Sequence, residues 1–275
     1  MCNAALAYKS DPDVKGDEKL EVFSDTCTVE KTVGWKARNN DFLWSMDEEP
    51  HTSRRKEIMM KHPEVKKLFG YAWETKWIVL LLVALQIGAA YYLRDMTWTW
   101  QFFVASYIIG GTANQALFLA IHEITHNLGF KKYWHNKAFN CFANLPIGLP
   151  YCAAFRGYHL EHHKYQGVDG IDTDLPTRIE GLFFTNVLSK LFFATCQILF
   201  YAIRPMLIKR QSFTNWHAIN WVVQFSFNIA VFKLFGLGPL WYFLTSDFMA
   251  GSLHPCASHF IAEHYVFVGE CETYV

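Results

Sequence analysis

Apolar residues in this chain are gathered into long runs. Residues 77–93 (WIVLLLVALQIGAAYYL) and 98–121 (WTWQFFVASYIIGGTANQALFLAI) carry no charged side chain. A bilayer core takes about 20 apolar residues as helix, so the second run fits directly and the first fits with its flanks. The intervening RDMT at 94–97 leaves room only for a tight turn, predicting a hairpin whose two ends share one side of the membrane. Residues 216–235 (WHAINWVVQFSFNIAVFKLF) and 239–257 predict a second hairpin, turned at Gly236, Leu237 and Gly238. Two further apolar stretches read differently. Residues 138–154 contain Asn144, Pro146 and Pro150, which break a helix. Residues 182–203 carry Lys190, costly in hydrocarbon. Both are expected to lie at the interface rather than to cross.

Composition agrees with the pattern. The hydrophobic fraction of 52% and the aromatic fraction of 17% are high for a soluble domain, and the charged fraction of 18% is low. Lys plus Arg equals Asp plus Glu, 25 of each, so bulk charge gives no argument for nucleic acid. Position matters more. Lys and Arg cluster at 54–76, at Lys131, Lys132 and Lys137, and at Lys209 and Arg210. With two hairpins these fall on one side, which the positive-inside rule makes the cytosol. Trp73, Trp77, Trp98 and Trp100 are placed as interface anchors. Seven Cys, an odd number without a CxxC pair, argue against a disulfide framework and for a reducing environment. The first thirty residues are polar and do not read as a secretory signal. Cys2 stands where N-myristoylation needs Gly. The organisation read from this is a polar tail at 1–34, a basic, aromatic-bearing region at 35–73 suited to lie on anionic headgroups, and a membrane domain at 74–275.

Histidines carry the candidate chemistry. His122-Glu-Ile-Thr-His126 ends the second run, and i and i+4 share a helix face. His159-Leu-Glu-His162-His163 places three imidazoles on one face. With this histidine content chance supplies roughly half an HxxxH but only about 0.02 of an HxxHH, so the second motif is the specific one. A third region holds His254, His259 and His264 after the fourth run, with the last two five apart and not a clean helical pair. His51, His62, His135 and His217 are isolated and read as surface or interface residues. Imidazole suits iron, copper and zinc. Five or more neutral His on one membrane face exceed the needs of one tetrahedral zinc, and two metals explain the count better. The fold expected is an all-α integral membrane protein: four transmembrane helices as two hairpins, interfacial amphipathic helices, and a cytosolic cap of histidine boxes.

HEITH, GYHLEHHKYQG followed by IDTDLPT, and HPCASHFIAEHYVF together resemble the sphingolipid Δ4-desaturase family, and DFLWSMDEEPHTSRRKEIMMKHPEVKKLFG resembles that family's N-terminal region. The resemblance covers about residues 35–274. It implies conversion of dihydroceramide to ceramide by a trans C4–C5 double bond, in the endoplasmic reticulum membrane. It implies two Fe ions, with His122, His126, His159, His162 and His163 as ligands and His259 or His264 adding one more. Electrons would come from NAD(P)H through cytochrome b5 and its reductase. The family carries a third box, HxxHH, beyond the ETY that follows HFIAEHY; this chain reads GECETYV to Val275, so it reads as truncated before that box. Sphingolipid C4-hydroxylation, an inert lipid-binding form and a zinc hydrolase of ceramide stay open on the residues alone.

Overall fold

A computed structural model describes residues 50–165 and 170–262, and every element in them is helical. The predicted tail at 1–34 and residues 35–49 of the next region lie outside the described residues, as does His264. The basic segment forms α1, Pro50–Lys61. The first hairpin is α2, Thr75–Tyr92, and α3, Trp100–Thr125. Two cap helices follow, α4 at Tyr133–Ala143 and α5 at Cys152–Lys164. Then come α6 at Arg178–Phe183, α7 at Val187–Ile208, α8 at Asn215–Phe235, α9 at Gly238–Ala250 and the single turn α10 at His259–Ala262.

Four helices are long and apolar enough to cross a membrane: α2, α3, α7 and α8. Three coincide with predicted spans. The fourth does not. Residues 182–203 were expected at the interface because Lys190 seemed central, but the helix begins only at Val187, which puts Lys190 in its first turn. The run at 239–257 is interrupted at Gly251, so α9 has 13 residues. At 1.5 Å per residue that is about 20 Å, short of a hydrocarbon core of about 30 Å. The stretch 138–154 breaks into α4, a 3-10 turn at Leu145–Ile147 and the start of α5, as its prolines predict.

The distribution of side chains is inside out relative to a water-soluble bundle. Leu81, Ile108, Val222 and Leu234 are exposed, while Gln86, Asn114, Asn220 and Gln224 are fully buried. Lipid tolerates the first set and penalises the second, so this is an integral membrane protein. Gln86 and Gln224 are paired at both side-chain atoms. Gln86 Nε2 donates to Asn114 Oδ1 at 2.5 Å and to the Gly110 carbonyl at 3.0 Å, and Tyr242 donates to Gln86 Oε1 at 2.8 Å. This joins α2, α3 and α9. A second set ties the cap to α8: Asn144 Nδ2 donates to Gln224 Oε1 at 2.7 Å, and Asn228 Nδ2 donates to the Gly148 carbonyl at 2.8 Å. Asn144 Oδ1 also accepts from the Tyr151 and Cys152 amides, which starts α5.

The two short turns meet. Gly238 lies so close to the Arg94 carbonyl that a Cβ would overlap it, and the Trp98 and Trp241 rings are 5.4 Å apart. Both hairpins therefore turn at the same end of the molecule. At that end the core is Ala90, Leu93, Phe102, Tyr242 and Phe243. The other end is packed by Val79, Val83, Leu117, Ile121, Ile124 and Ile147, directly beneath the histidine motifs. Trp73 and Trp77 at one end, and Trp98 and Trp100 at the other, are all more than half exposed, as interface anchors require.

Helix α3 contains a π-helical turn, Ser106–Gly111, against which α9 packs. Gly110 makes the contact possible, since a Cβ there would overlap the Ser246 side chain. Gly110→Ala is expected to destabilise the fold by about 1–3 kcal/mol through overpacking. Gly88→Ala, which faces open space, should not. Thermal unfolding of both variants in detergent checks this; equal midpoints would show that α9 does not depend on the contact.

Candidate metal centre

The first histidine motif sits at a helix end for a local reason. Asn127 adopts a left-handed conformation, φ 62°. Its amide bonds the Ile124 carbonyl, and the Leu128 amide bonds the Glu123 carbonyl at 3.3 Å, which stops α3 just after His126. Glu123, between the two histidines, is turned away: it accepts from Thr75 Oγ1 at 2.6 Å and ties α3 to α2. The second motif lies on α5, where His159, His162 and His163 are spaced i, i+3 and i+4. Arg156, one turn before His159, donates to the Thr125 carbonyl and so fastens the two motif-bearing helices together.

Four imidazoles converge. One ring nitrogen from each of His122, His126, His159 and His163 lies within 4.8 Å of the others. His126 Nε2 and His159 Nε2 are 2.8 Å apart, and the His122 and His159 ring centroids are 4.3 Å apart. Two metal–nitrogen bonds of roughly 2.1 Å at a right angle separate their nitrogens by about 3 Å, so the pair is spaced as ligands of one ion would be. Burial, then the neighbouring histidines, push the His159 pKa down to about 2. His126 is lowered by burial and by Arg156. Both rings are neutral at pH 7, with lone pairs available to a metal.

His162 is held differently. Its Nδ1 is 2.9 Å from Asp172 Oδ1 and 3.5 Å from Asp174 Oδ2, and these three form a separate cluster. A carboxylate on Nδ1 fixes the ring and its tautomer and leaves Nε2 as the atom that could ligate a metal. The carboxylates are positioned in turn. The Asp174 amide donates to Asp172 Oδ1, and Arg204 on α7 donates to the Asp174 carbonyl at 3.1 Å. Arg204 also grips Glu180 at 2.7 Å in a buried ion pair. Asp172 and Asp174 were not among the residues singled out from sequence. The IDTDLPT segment behind the second motif was the signal for them.

The third region divides. His254 is buried away from the four-ring cluster, accepting from the Cys256 amide at 3.2 Å and packing on Tyr107 at 4.8 Å. His259 opens α10 and lies within electrostatic reach of His122. Among the histidines read as isolated, His62 is exposed beside Glu64, and His217 bonds the Thr214 amide at 3.1 Å.

Such a site, a cluster of imidazoles at one end of paired membrane helices, is one that could hold a metal ion. The profile described as fatty acid desaturase matches residues 98–274, and the one described as sphingolipid Delta4-desaturase matches residues 38–74. The sphingolipid delta(4)-desaturase of Schizosaccharomyces pombe is 54% identical over 235 residues, covering 84% of this chain and 65% of that protein. That of Drosophila melanogaster is 44% identical over 244 residues, covering 88% and 76%. A Homo sapiens protein named sphingolipid delta(4)-desaturase/C4-monooxygenase is 43% identical over 244 residues, covering 88% and 75%. No solved structure matches. The chain belongs to the sphingolipid Δ4-desaturases of the fatty acid desaturase family. It spans 62–65% of the length of its fungal relatives.

Replacing Asp172 by Asn keeps the size but removes the charge that orients His162. Metal affinity is expected to fall about 10–100-fold, with the helical content unchanged. Metal titration of the purified protein, followed by elemental analysis, checks it. Undiminished loading would mean that His162 does not serve the metal.

Proposed function

We propose that the protein is a sphingolipid Δ4-desaturase, an O2-dependent di-iron oxidoreductase that introduces a trans C4–C5 double bond into dihydroceramide to give ceramide. The observation that carries this reading is the convergence of four imidazoles at one end of the membrane hairpins, in a chain of this family. His122, His126, His159 and His163 would hold one ion, and His162, with His259 and His264, would contribute to a second. The donor set fits iron: neutral imidazoles with carboxylate support. Bound there, iron would supply the activation of O2 needed to remove hydrogen from an unactivated alkyl carbon. Electrons would reach it from NAD(P)H through cytochrome b5 and its reductase.

The chain's own residues do the positioning. Arg156 holds α3 and α5 at one separation, and Asp172 holds the His162 ring. A row of rings leads away from the cluster into the apolar interior: Phe155 stacks on His159 at 4.8 Å, Tyr151 on Phe155 at 5.0 Å, and Phe118 meets Tyr151 at 5.3 Å. This row offers an apolar wall along which a sphingoid chain can lie. The same site suits C4-hydroxylation, a reading favoured by the name of the human relative. The test is expression in cells lacking dihydroceramide desaturation, with ceramide, dihydroceramide and 4-hydroxylated product measured by mass spectrometry. In a form extended by the family's third histidine box, ceramide is expected, and His159→Ala should abolish it. Ceramide made by the variant would remove the metal site from the reaction. A 4-hydroxylated product alone would establish the hydroxylase, and neither product the inert form. Zinc in place of iron, with hydrolysis of ceramide, would support the hydrolase.

The protein is proposed to reside in the endoplasmic reticulum membrane with its histidine boxes in the cytosol. The basic loops lie at the box end, and the turns at Arg94 and Gly236 at the other. Glycosylation acceptors introduced at 95 are expected to be modified, and those at 145 are not. Modification at 145 would place the boxes in the lumen and overturn this orientation.

A further inference from the structure

On the face of α5 turned from the histidine cluster lies a cavity of about 450 Å³. Four segments build it: α4 and α5 from the cap, the connection 209–214 between α7 and α8, and the first turn of α8. Its charge is one-sided. Lys137, Arg156, Lys209 and Arg210 line it, and Glu161, the one carboxylate in the lining, is already bonded to Lys209 at 2.7 Å. The amino end of α8, a helix of 21 residues, opens at the same wall through Thr214 and Trp216, adding the positive end of its dipole. Lys137, Arg156 and Lys209 are half-buried. Holding several cations together partly out of water is costly unless an anion compensates them.

The side chains around the cavity register this positive potential. Burial raises the Tyr133 phenol, but its bond to Lys137 and the charges of Arg156 and Lys137 outweigh that and hold it below its ordinary value. Lys137 and Arg156 are also braced by rings. Lys137 Nζ is 5.1 Å from the Trp216 ring centroid, and the Arg156 guanidinium is 5.2 Å from that of Tyr133. The cations are therefore held in place rather than waving in solvent.

Location selects among anions. The connection leads into α8, which is long and apolar enough for the membrane, and Lys209 bonds Glu161 of the cap, so the cavity lies at the box end of α8. Phe213, packed on the lining residue His217 at 5.5 Å, is more than half exposed, as side chains at headgroup depth are. The opening is concave and sized for a small group, unlike the flat face that an acidic protein would cover. A phosphate, with oxygens directed several ways, satisfies cations arriving from three segments better than a planar carboxylate, and guanidinium groups bind it in a bidentate manner.

We propose that this cavity binds a phosphate group, carried by an anionic phospholipid of the surrounding membrane. The site adjoins the metal centre through Arg156 but does not include its histidines, and its occupancy does not depend on the proposed reaction. It makes the protein selective for the lipid beside it.

The test uses the full 275-residue chain in nanodiscs of phosphatidylcholine with a minor fraction of phosphatidic acid. Lipids retained after release into the gas phase are counted by native mass spectrometry. The wild-type chain is expected to retain about one phosphatidic acid in preference to phosphatidylcholine. Arg210 is exposed, so Arg210→Gln tests the site with little risk to the fold; retention should drop about fivefold per charge removed. Arg210→Gln with Lys137→Gln should drop further. Lys66→Gln with Lys67→Gln, exposed cations outside the cavity, should change nothing. Equal loss in that control would reduce the effect to diffuse surface charge and overturn the site. A wild-type chain that binds inorganic phosphate, yet shows no preference for phosphatidic acid, would assign the cavity to a soluble phosphate compound and overturn the lipid source. Unchanged lipid retention in the Arg210 and Lys137 variants, with loss of capture by an acidic electron-donor protein, would make the surface a protein contact instead.

Discussion

An amide side chain in hydrocarbon has no water to return to, and this constraint orders the membrane part of the molecule. Lipid tails are as apolar as leucine, so contacts between apolar side chains do little to choose one packing of helices over another. The bonds among Gln86, Asn114, Tyr242 and the Gly110 carbonyl do choose, because each alternative leaves a polar atom stranded. They set the rotation of α3 against α2 and α9. Since His122 and His126 ride on α3, the direction in which they face follows from that rotation. Asn144, Gln224 and Asn228 do the same for the cap, fixing the start of α5 and with it the second histidine motif.

The histidine cluster is thus placed from two sides. From below, α3 delivers two imidazoles and stops at Asn127. From beside, α5 delivers three more, and Arg156 holds the two helices at a constant spacing. A third support reaches His162 from α7 through Arg204, Asp174 and Asp172. Arg204 and Glu180 are a buried ion pair, a costly arrangement in which loss of one partner leaves the other stranded. Its use here couples the position of a long apolar helix to the orientation of one imidazole.

Much of this was legible in the sequence, and the rest was hidden for identifiable reasons. Charge-free runs mark α2 and α3 because a lipid-facing helix needs apolar residues all round. The i, i+3, i+4 spacing marks the second motif because helix geometry makes neighbours of those positions. Three things did not read. The length of helix α7 was one, because Lys190 looks central in 182–203 until the helix start at Val187 puts it in the first turn. The end of the last run was set too far along because nothing local distinguishes Gly251 from a tolerated helix glycine. Asp172 escaped notice because its partner, His162, lies ten residues away across a loop, and no periodicity connects them.

The π-helical turn at Ser106–Gly111 has a consequence for the chain's tolerance of length changes. A wider turn accommodates an additional residue, and in a helix of 3.6 residues per turn each residue is worth about 100° of rotation. The two halves of α3 are therefore phased independently: the half before Ser106 meets the turn-end core, and the half after Gly111 aims His122 and His126. Deleting one residue within 106–111 would leave composition and hydropathy almost untouched. It would nonetheless swing both imidazoles about a quarter of the way round the helix, out of register with His159 and His163. In this segment residue count carries the information for the metal site, and residue identity carries less.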